Sequence, residues 1–441
     1  MSKRLGRMFF VGASVLSFLA GLDAVSAQAQ EPPANVAFFA PAASNVYHIT
    51  LDEARQRALG NSKLRQLALY NVQAKGESVY VAESDYYPKV LANFTGFHFD
   101  SPLGKVLTPG ILPISPIAVN VVNQDLGLTT VTALQPITAL LKVQQAVKAA
   151  DADQQIARSQ VEEAERAIAS GVEQLYCGLL AADKILAAAR AAEAAGAAAA
   201  QQMAAGRLLS IEARIVAVEG KQAIQAVSSQ QADLQEQLNG LLDLPLCTGL
   251  ELVDLPPLCP TITCADQAIS LALANNPAIL QADWTAAKAE AGVKVAQVDW
   301  LPDVALLGGY VNNDGINVIQ HDVSYVALTA NMPIFEGFKR IHAVRQAESV
   351  VAMARMKAFQ TRDEVRLKAR KTYREFCEAM EAAQTAREMV LVRTDAQKKA
   401  ATPDDAIKAA SEFMKAQAAV VQAEATSRVA YAKLLNVVGL Q

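Results

Sequence analysis

Aromatic side chains are scarce: only 6% of the 441 residues are Phe, Trp or Tyr, although 52% are hydrophobic. Much of the apolar excess is alanine, and an alanine-rich, aromatic-poor chain favours long, closely packed helices over a bulky globular core. Histidine is scarcer still. His48, His98, His321 and His342 are scattered, and none stands at nucleophile or metal-ligand spacing. There is no Cys-x-x-Cys pair and no phosphate-binding loop. These absences leave no catalytic constellation, no metal site and no cofactor site to argue from, so the expectation is a protein that is not an enzyme. The net charge of −4 lacks the basic footprint of a nucleic-acid partner. Beyond the first residues, no stretch reaches the ~20 apolar residues of a spanning helix. Entry into a membrane would therefore require strands in a closed barrel.

The N-terminus does carry an address. Lys3, Arg4 and Arg7 precede an apolar run from Met8 to Leu22, and Val25-Ser26-Ala27 places small residues at −3 and −1. This layout predicts a secretory signal peptide over residues 1–27, cut after Ala27 or, second, Ala29. Residues 28–48 then read as an N-terminal extension. Five cysteines in an exported chain leave at least one unpaired. Cys247, Cys259 and Cys264 share one Pro-rich segment where an oxidising compartment could join two of them, with no pairing singled out. Cys177 and Cys377 fall inside helical patterns and read as packing residues.

Internal repetition organises the rest. Asp52-Glu53-Ala54, Ala58-Leu59 and Asn61 recur as Asp266-Gln267-Ala268, Ala272-Leu273 and Asn275, an offset of 214 positions (266 − 52 = 214). Asp85-Tyr86-Tyr87-Pro88 maps onto Asp299-Trp300-Leu301-Pro302 at the same offset. Further on, Pro136-Ile137 matches Pro333-Ile334, Tyr176 matches Tyr373 and Leu238-Asn239 matches Leu435-Asn436, at an offset of 197 (333 − 136 = 197). The first copy thus holds 17 more residues (214 − 197 = 17) between Pro88 and Pro136. They fall around Pro102, Pro109, Pro113 and Pro116, which reads as a longer surface loop over residues 100–123.

The predicted fold class is mainly α with a small β part, in two tandem repeats. The first repeat, 49–242, holds two helices, strands at about 90–99 and 124–135, and a helical hairpin over 137–242. Leu126, Leu128, Thr130, Thr132 and Leu134 share one strand face at period two. Val161, Ala164, Ile168, Val172, Leu175, Leu179, Ala182 and Leu186 step by three and four along the hairpin, a coiled-coil seam. A linker spans 243–263. The second repeat, 264–441, has strands at about 304–311 and 323–332 and a hairpin over 336–438. Met353 and Met356 read as packing residues of that hairpin, and the charged run from Arg362 to Lys371 as a solvated face with local ion pairs.

Two copies supply four strands, whereas the smallest closed membrane barrels have about eight. Either the strands form a soluble sheet, or several chains contribute to one barrel. Helices of about 60 residues reach roughly 90 Å, suited to bridging a periplasm.

With these features the chain resembles the TolC-type outer-membrane efflux proteins, the outer membrane factors, from about Ile49 to Leu440. The likeness rests on Ala268-Ile269-Ser270-Leu271-Ala272-Leu273-Ala274-Asn275-Asn276-Pro277, on the prolines Pro88, Pro302, Pro136 and Pro333, and on Pro333-Ile334-Phe335-Glu336-Gly337. The resemblance implies a homotrimer with a shared twelve-stranded β-barrel in the outer-membrane lipid, continued by a periplasmic α-helical tunnel. It implies a passive export conduit for tripartite efflux or type I secretion, meeting a periplasmic adaptor and, through it, an inner-membrane pump. Ala205-Gly206-Arg207-Leu208-Leu209-Ser210 is similar to the family's tip motif, which assigns adaptor contact to Gly206, Arg207, Leu208, Leu209 and Ser210; Gly206 also reads as a helix-turn glycine. The second tip, Ala400 to Asp405, has no glycine. Glu212, Asp404 and Asp405 are expected either as an acidic gate or as solvated helix-start charges. The alternative reading, a periplasmic coiled-coil adaptor or scaffold, would have one hairpin flanked by soluble β modules.

Overall fold

The computed structural model describes residues 47–108, 117–204, 211–399 and 403–440, all within the compact unit Val46–Gln441. The expected signal peptide and residues 28–46 lie outside the described residues.

Local chemistry sets the helix starts. Thr50 opens α1 (Leu51–Asn61) with a capping box: its hydroxyl accepts from Glu53 N while the Glu53 carboxylate accepts from Thr50 N. Ser62 caps α2 (Lys63–Ser84). The same 11- and 22-residue pair returns as α5 (Ala265–Asn275) and α6 (Pro277–Val298). There Cys264 takes the cap position, its Sγ accepting from Gln267 N at 3.4 Å, and Asn276 caps α6 ahead of Pro277. The long helices are α3 (Ala139–Ala204, 66 residues) and α7 (Lys339–Lys398, 60 residues), returned by α4 (Ile211–Leu242) and α8 (Pro403–Val438).

Two cores lock these elements. One gathers Ile49, Ala54, Ala58, Ile168, Val172, Tyr176, Leu179, Leu238 and Leu242. The other gathers Ala268, Ala272, Val365, Ala369, Phe376, Leu434 and Val438 among its members. Ala54 and Ala58 stand 214 positions before Ala268 and Ala272, and Ile168, Val172 and Leu179 stand 197 before Val365, Ala369 and Phe376. Alanine at the first pair of positions lets short and long helices approach closely. The Tyr176 hydroxyl donates to the carbonyls of Ile49 and Val253 (3.1 and 2.8 Å), tying the parallel pair β1 (Tyr47–Ile49) and β5 (Leu250–Leu252) to α3. Tyr373 donates to Thr263 O at 2.7 Å, 214 positions after Ile49. All eight positions of the expected α3 seam are buried or half-buried.

The larger sheet runs in the order β2-β4-β6-β7, antiparallel throughout, from β2 (Lys89–His98), β4 (Ile117–Pro136), β6 (Asp303–Ile316) and β7 (Asp322–Asn331). The expected loop over 100–123 is corrected here. Leu103–Thr108 forms β3 and pairs with the first residues of β4, so most of the insertion is a strand hairpin. Pro102 precedes β3, and the paired segments hold β-favouring Val106, Leu107, Thr108, Ile117 and Val119. The β4–β6 register shifts between Val122 and Gly127, where Gly315 turns with φ +118°.

Candidate channel-forming surfaces

Directly opposed residues of an antiparallel ladder share a face. The register therefore collects Val90, Ala92 and Phe94 on β2, Val131 and Ala133 on β4, Leu306 and Tyr310 on β6, and Val326 and Leu328 on β7 onto one face. The middle of that face is apolar yet open, with Phe94 72% and Val326 80% exposed, and His98, Asp125, Thr129, Gln135, Asn312, Asp322 and Ser324 share the same face around it. The other face mixes Asn93, Thr95, Thr130, Thr132, Asn313 and Thr329 with leucines. On β7 it is the less exposed of the two: Tyr325, Ala327 and Thr329 are half-buried where Val326, Leu328 and Ala330 are exposed. The leucine stripe that the sequence singles out on β4 lies on this mixed face, so the outward apolar band is not the one periodicity marks. β2 and β7, ten residues each, are the sheet's edges, each with one side of its backbone unpaired among the described residues. Ten residues is the length of a strand that crosses a bilayer.

Where the sheet passes into the hairpins, two junctions differ. At the first, Ile137 N donates to Val304 O (2.8 Å), and the Thr138 hydroxyl donates to Pro302 O (2.8 Å) and accepts from Val304 N (2.6 Å). Lys142 pairs with Asp299 at 2.7 Å and Asp303 at 3.5 Å. The bond to Asp299 holds the Lys142 ammonium above its ordinary pKa, against the opposing effect of partial burial. At the second junction Ile334 is 99% exposed. Gly337 and Phe338 both take left-handed backbone, φ +60° and +64°, and the Phe335 and Phe338 rings meet edge-on at 6.1 Å.

The hairpins pack as side-by-side arms. α3 is held to α2 by Arg65–Glu165 (2.6 Å) and to α6 by Lys288–Asp153 (2.8 Å). α7 is held to α6 by Arg362–Asp283 and Arg355–Glu290, both at 2.7 Å, and to α8 by Arg387–Glu424 at 2.7 Å. Lys415–Glu219 (3.1 Å) links α8 to α4. The charged run on α7 is thus partly local, as in Arg366–Asp363, and partly a bridge between helices through Arg362. Met353 and Met356 are corrected from packing to surface: they are 66% and 69% exposed, because among the described residues no helix covers that side of α7.

The tip assignment lies apart from this geometry. Gly206, Arg207, Leu208, Leu209 and Ser210 are outside the described residues. Glu212 lies in the first turn of α4, and Asp404 and Asp405 in the first turn of α8. Cys247, Cys259 and Cys264 are exposed free thiols; Cys177 is buried and free, its thiol pushed up to about 11 by burial. Among the described residues no three His, Cys, Asp or Glu side chains converge on a metal position, and no helix is long and apolar enough to cross a membrane.

Residues 268–440 match the model of the outer membrane efflux protein family. No curated protein sequence matches the chain. Among solved structures, the outer-membrane channel OprN shares the fold at TM-score 0.74 and 15% identity, over 89% of this chain and 90% of its own. The outer membrane protein VceC of Vibrio cholerae aligns at TM-score 0.70 and 16% identity, over 88% of this chain and 96% of its own. The open state of the Neisseria gonorrhoeae MtrE outer membrane channel aligns at TM-score 0.71 and 13% identity, over 89% of both chains. Residues 268–440 are thus similar to the outer membrane efflux protein family, and the fold is shared with these channels over about nine-tenths of the chain.

Proposed function

We propose that this protein is the outer-membrane channel of a tripartite efflux or type I secretion system, a passive conduit coupled through a periplasmic adaptor to an inner-membrane pump. The observation that carries the reading is the sheet whose main path of four strands ends in two ten-residue edges and bears an open apolar band, joined to helices of 66 and 60 residues. In lipid, a free strand edge leaves backbone donors and acceptors unsatisfied at several kcal/mol each. A barrel assembled from the edges of successive chains removes that cost. Three chains would give twelve strands of the main sheet, with the apolar face toward lipid and the α3/α4 and α7/α8 hairpins walling a periplasmic tunnel. The matched offsets of the two cores support two tandem repeats of one unit. A soluble adaptor would have no use for an open apolar sheet face, and it would need one hairpin where this chain has two.

The tip roles belong to the same proposal: Gly206 to Ser210 contact the adaptor, and Glu212, Asp404 and Asp405 ring the closed end with negative charge. Opening then follows from an adaptor that binds the open arrangement better than the closed one. The test is outer-membrane fractionation with mild cross-linking, on the natural protein and on Gly206→Trp. A trimer in the outer membrane that keeps its size but loses adaptor cross-links in the variant is expected. A soluble periplasmic species, or a monomer outside the membrane, would overturn the channel reading.

A further inference from the structure

The two sheet-to-helix junctions occupy equivalent positions, yet only the first is covered. At the offset of 197, Ile137 corresponds to Ile334 and Lys142 to Lys339; at 214, Asp299, Pro302 and Val304 correspond to Asp85, Pro88 and Val90. The first junction makes a complete set of contacts inside the chain: Ile137 N on Val304 O, and Lys142 on Asp299 at 2.7 Å. The corresponding groups of the second junction stand apart. Ile334 is 99% exposed, Lys339 is exposed and makes no ion pair among the described residues, and Val90 is open. Asp85 holds Lys89 at 2.9 Å and remains half exposed, leaving its second carboxylate oxygen free to take another cation.

The helices repeat the pattern. Asp153 and Glu163 of α3 bond Lys288 and Gln281 of α6. Ile156 lies on that same face by spacing, and its counterpart at offset 197 is the exposed Met353. The counterpart of Gln281 at offset 214 is the exposed Leu67 of α2. Apolar residues therefore stand bare at those places on α7 and α2 where the chain itself makes the equivalent contact between α3 and α6.

This inference rests on the multi-chain barrel. We propose that the turn Pro333–Lys339 of each chain clasps the Asp85–Val90 segment of the next copy, pairing Lys339 with Asp85 and seating Ile334 against Pro88 and Val90. The occupant is a second copy of this chain because Ile334, Lys339, Asp85, Pro88 and Val90 each have a template in the intrachain junction, and Lys339 and Asp85 are of opposite charge; Phe335 stands where Thr138 stands, so the bonds of that hydroxyl are not repeated. The β4–β6 register carried over by the same offsets pairs Thr329 with Thr95 and Ala327 with Phe97 of the next copy. These residues lie on the mixed face in both strands, so the apolar band stays continuous across the seam. A slip of one residue would turn one strand's apolar face inward. The contact is head-to-tail, the kind that closes into a ring. Lys89 stands where Asp303 stands in the template, so Asp85 must serve two lysines.

The experiment places the photoreactive amino acid p-benzoylphenylalanine at position 334 of the full-length chain and irradiates isolated outer membranes. The expected product is a ladder of covalent oligomers whose adduct maps to residues 86–90 of a second chain. In parallel, Lys339→Glu should shorten the lifetime of the heated oligomer on the order of threefold for each ion pair lost, and adding Asp85→Lys should restore it. An oligomer of unchanged size whose probe labels lipid or its own chain, with Lys339→Glu without effect, overturns the clasp and leaves the channel reading standing. A chain that extracts as a monomer overturns both.

Discussion

Tyr176 shows how one side chain secures a joint between remote parts of the sequence. Its hydroxyl is kept protonated by burial, which pushes its pKa up, and it bonds two carbonyls, Ile49 O and Val253 O, that border the β1–β5 pair. Tyr176→Phe leaves both acceptors without that donor in a dry site and should cost about 1–2 kcal/mol in denaturant unfolding. Tyr373→Phe, which acts in a more open place, should cost less. Asp183 behaves in the opposite sense. Burial raises its carboxyl pKa, partly countered by the bond from Gln231 at 2.5 Å, so the folded protein holds the proton more tightly than the unfolded chain. Its charged form therefore destabilises the fold above the raised value, and the penalty disappears as pH falls through that value toward the unfolded one. Asp183→Asn should raise the unfolding midpoint at pH 7, and the gap to the natural protein should close on acidification. A constant gap across that range would refute the linkage.

Single glycines report on elements in two directions. Gly292 sits in α6 with open space where a Cβ would stand, so Gly292→Ala should stabilise the helix by roughly 0.5–1 kcal/mol. Gly315 holds φ +118° at the register shift of β4 on β6, and a Cβ there would collide with the Asp125 carbonyl and the Leu126 backbone. Gly315→Ala should cost about 1–3 kcal/mol or displace the register, read as a lower heat-dissociation temperature of the membrane-extracted protein. The β3 hairpin belongs to the same scale. The prolines of this stretch look like loop signals in sequence, yet Leu103–Thr108 pairs with the start of β4. The long first hairpin helix was legible because the three-four spacing of its seam acts over one or two turns; the caps at Thr50 and Asn276 are equally local but emerged only from the structure.

For the assembled molecule the decisive surface is the open apolar face of the sheet. Val326 stands midway along β7 on that face. In a barrel whose outside meets hydrocarbon, an arginine near mid-membrane costs roughly 2–4 kcal/mol per chain. Val326→Arg should therefore reduce the amount of oligomer recovered from the outer membrane, while Ala327→Thr, on the mixed face, should leave it unchanged. Equal recovery of Val326→Arg and the natural protein would place this face away from lipid. Met353 and Met356 belong here as well, since periodicity reports that a helix face is apolar without telling whether its cover comes from the same chain or another.

The sequence alone carried the repeat offsets, the expectation of a mainly helical chain with a smaller strand part, and the family likeness of Ala268 to Pro277. Each depends on residues close together or on a pattern copied along the chain. The tertiary structure decided which strand face is outward, that Lys142 finds Asp299 and Asp303, that Cys264 serves as a helix cap, and that the second junction stands bare. These depend on pairing register and on contacts between segments far apart in sequence, where one residue of slip reverses a face and no local signal records the partner.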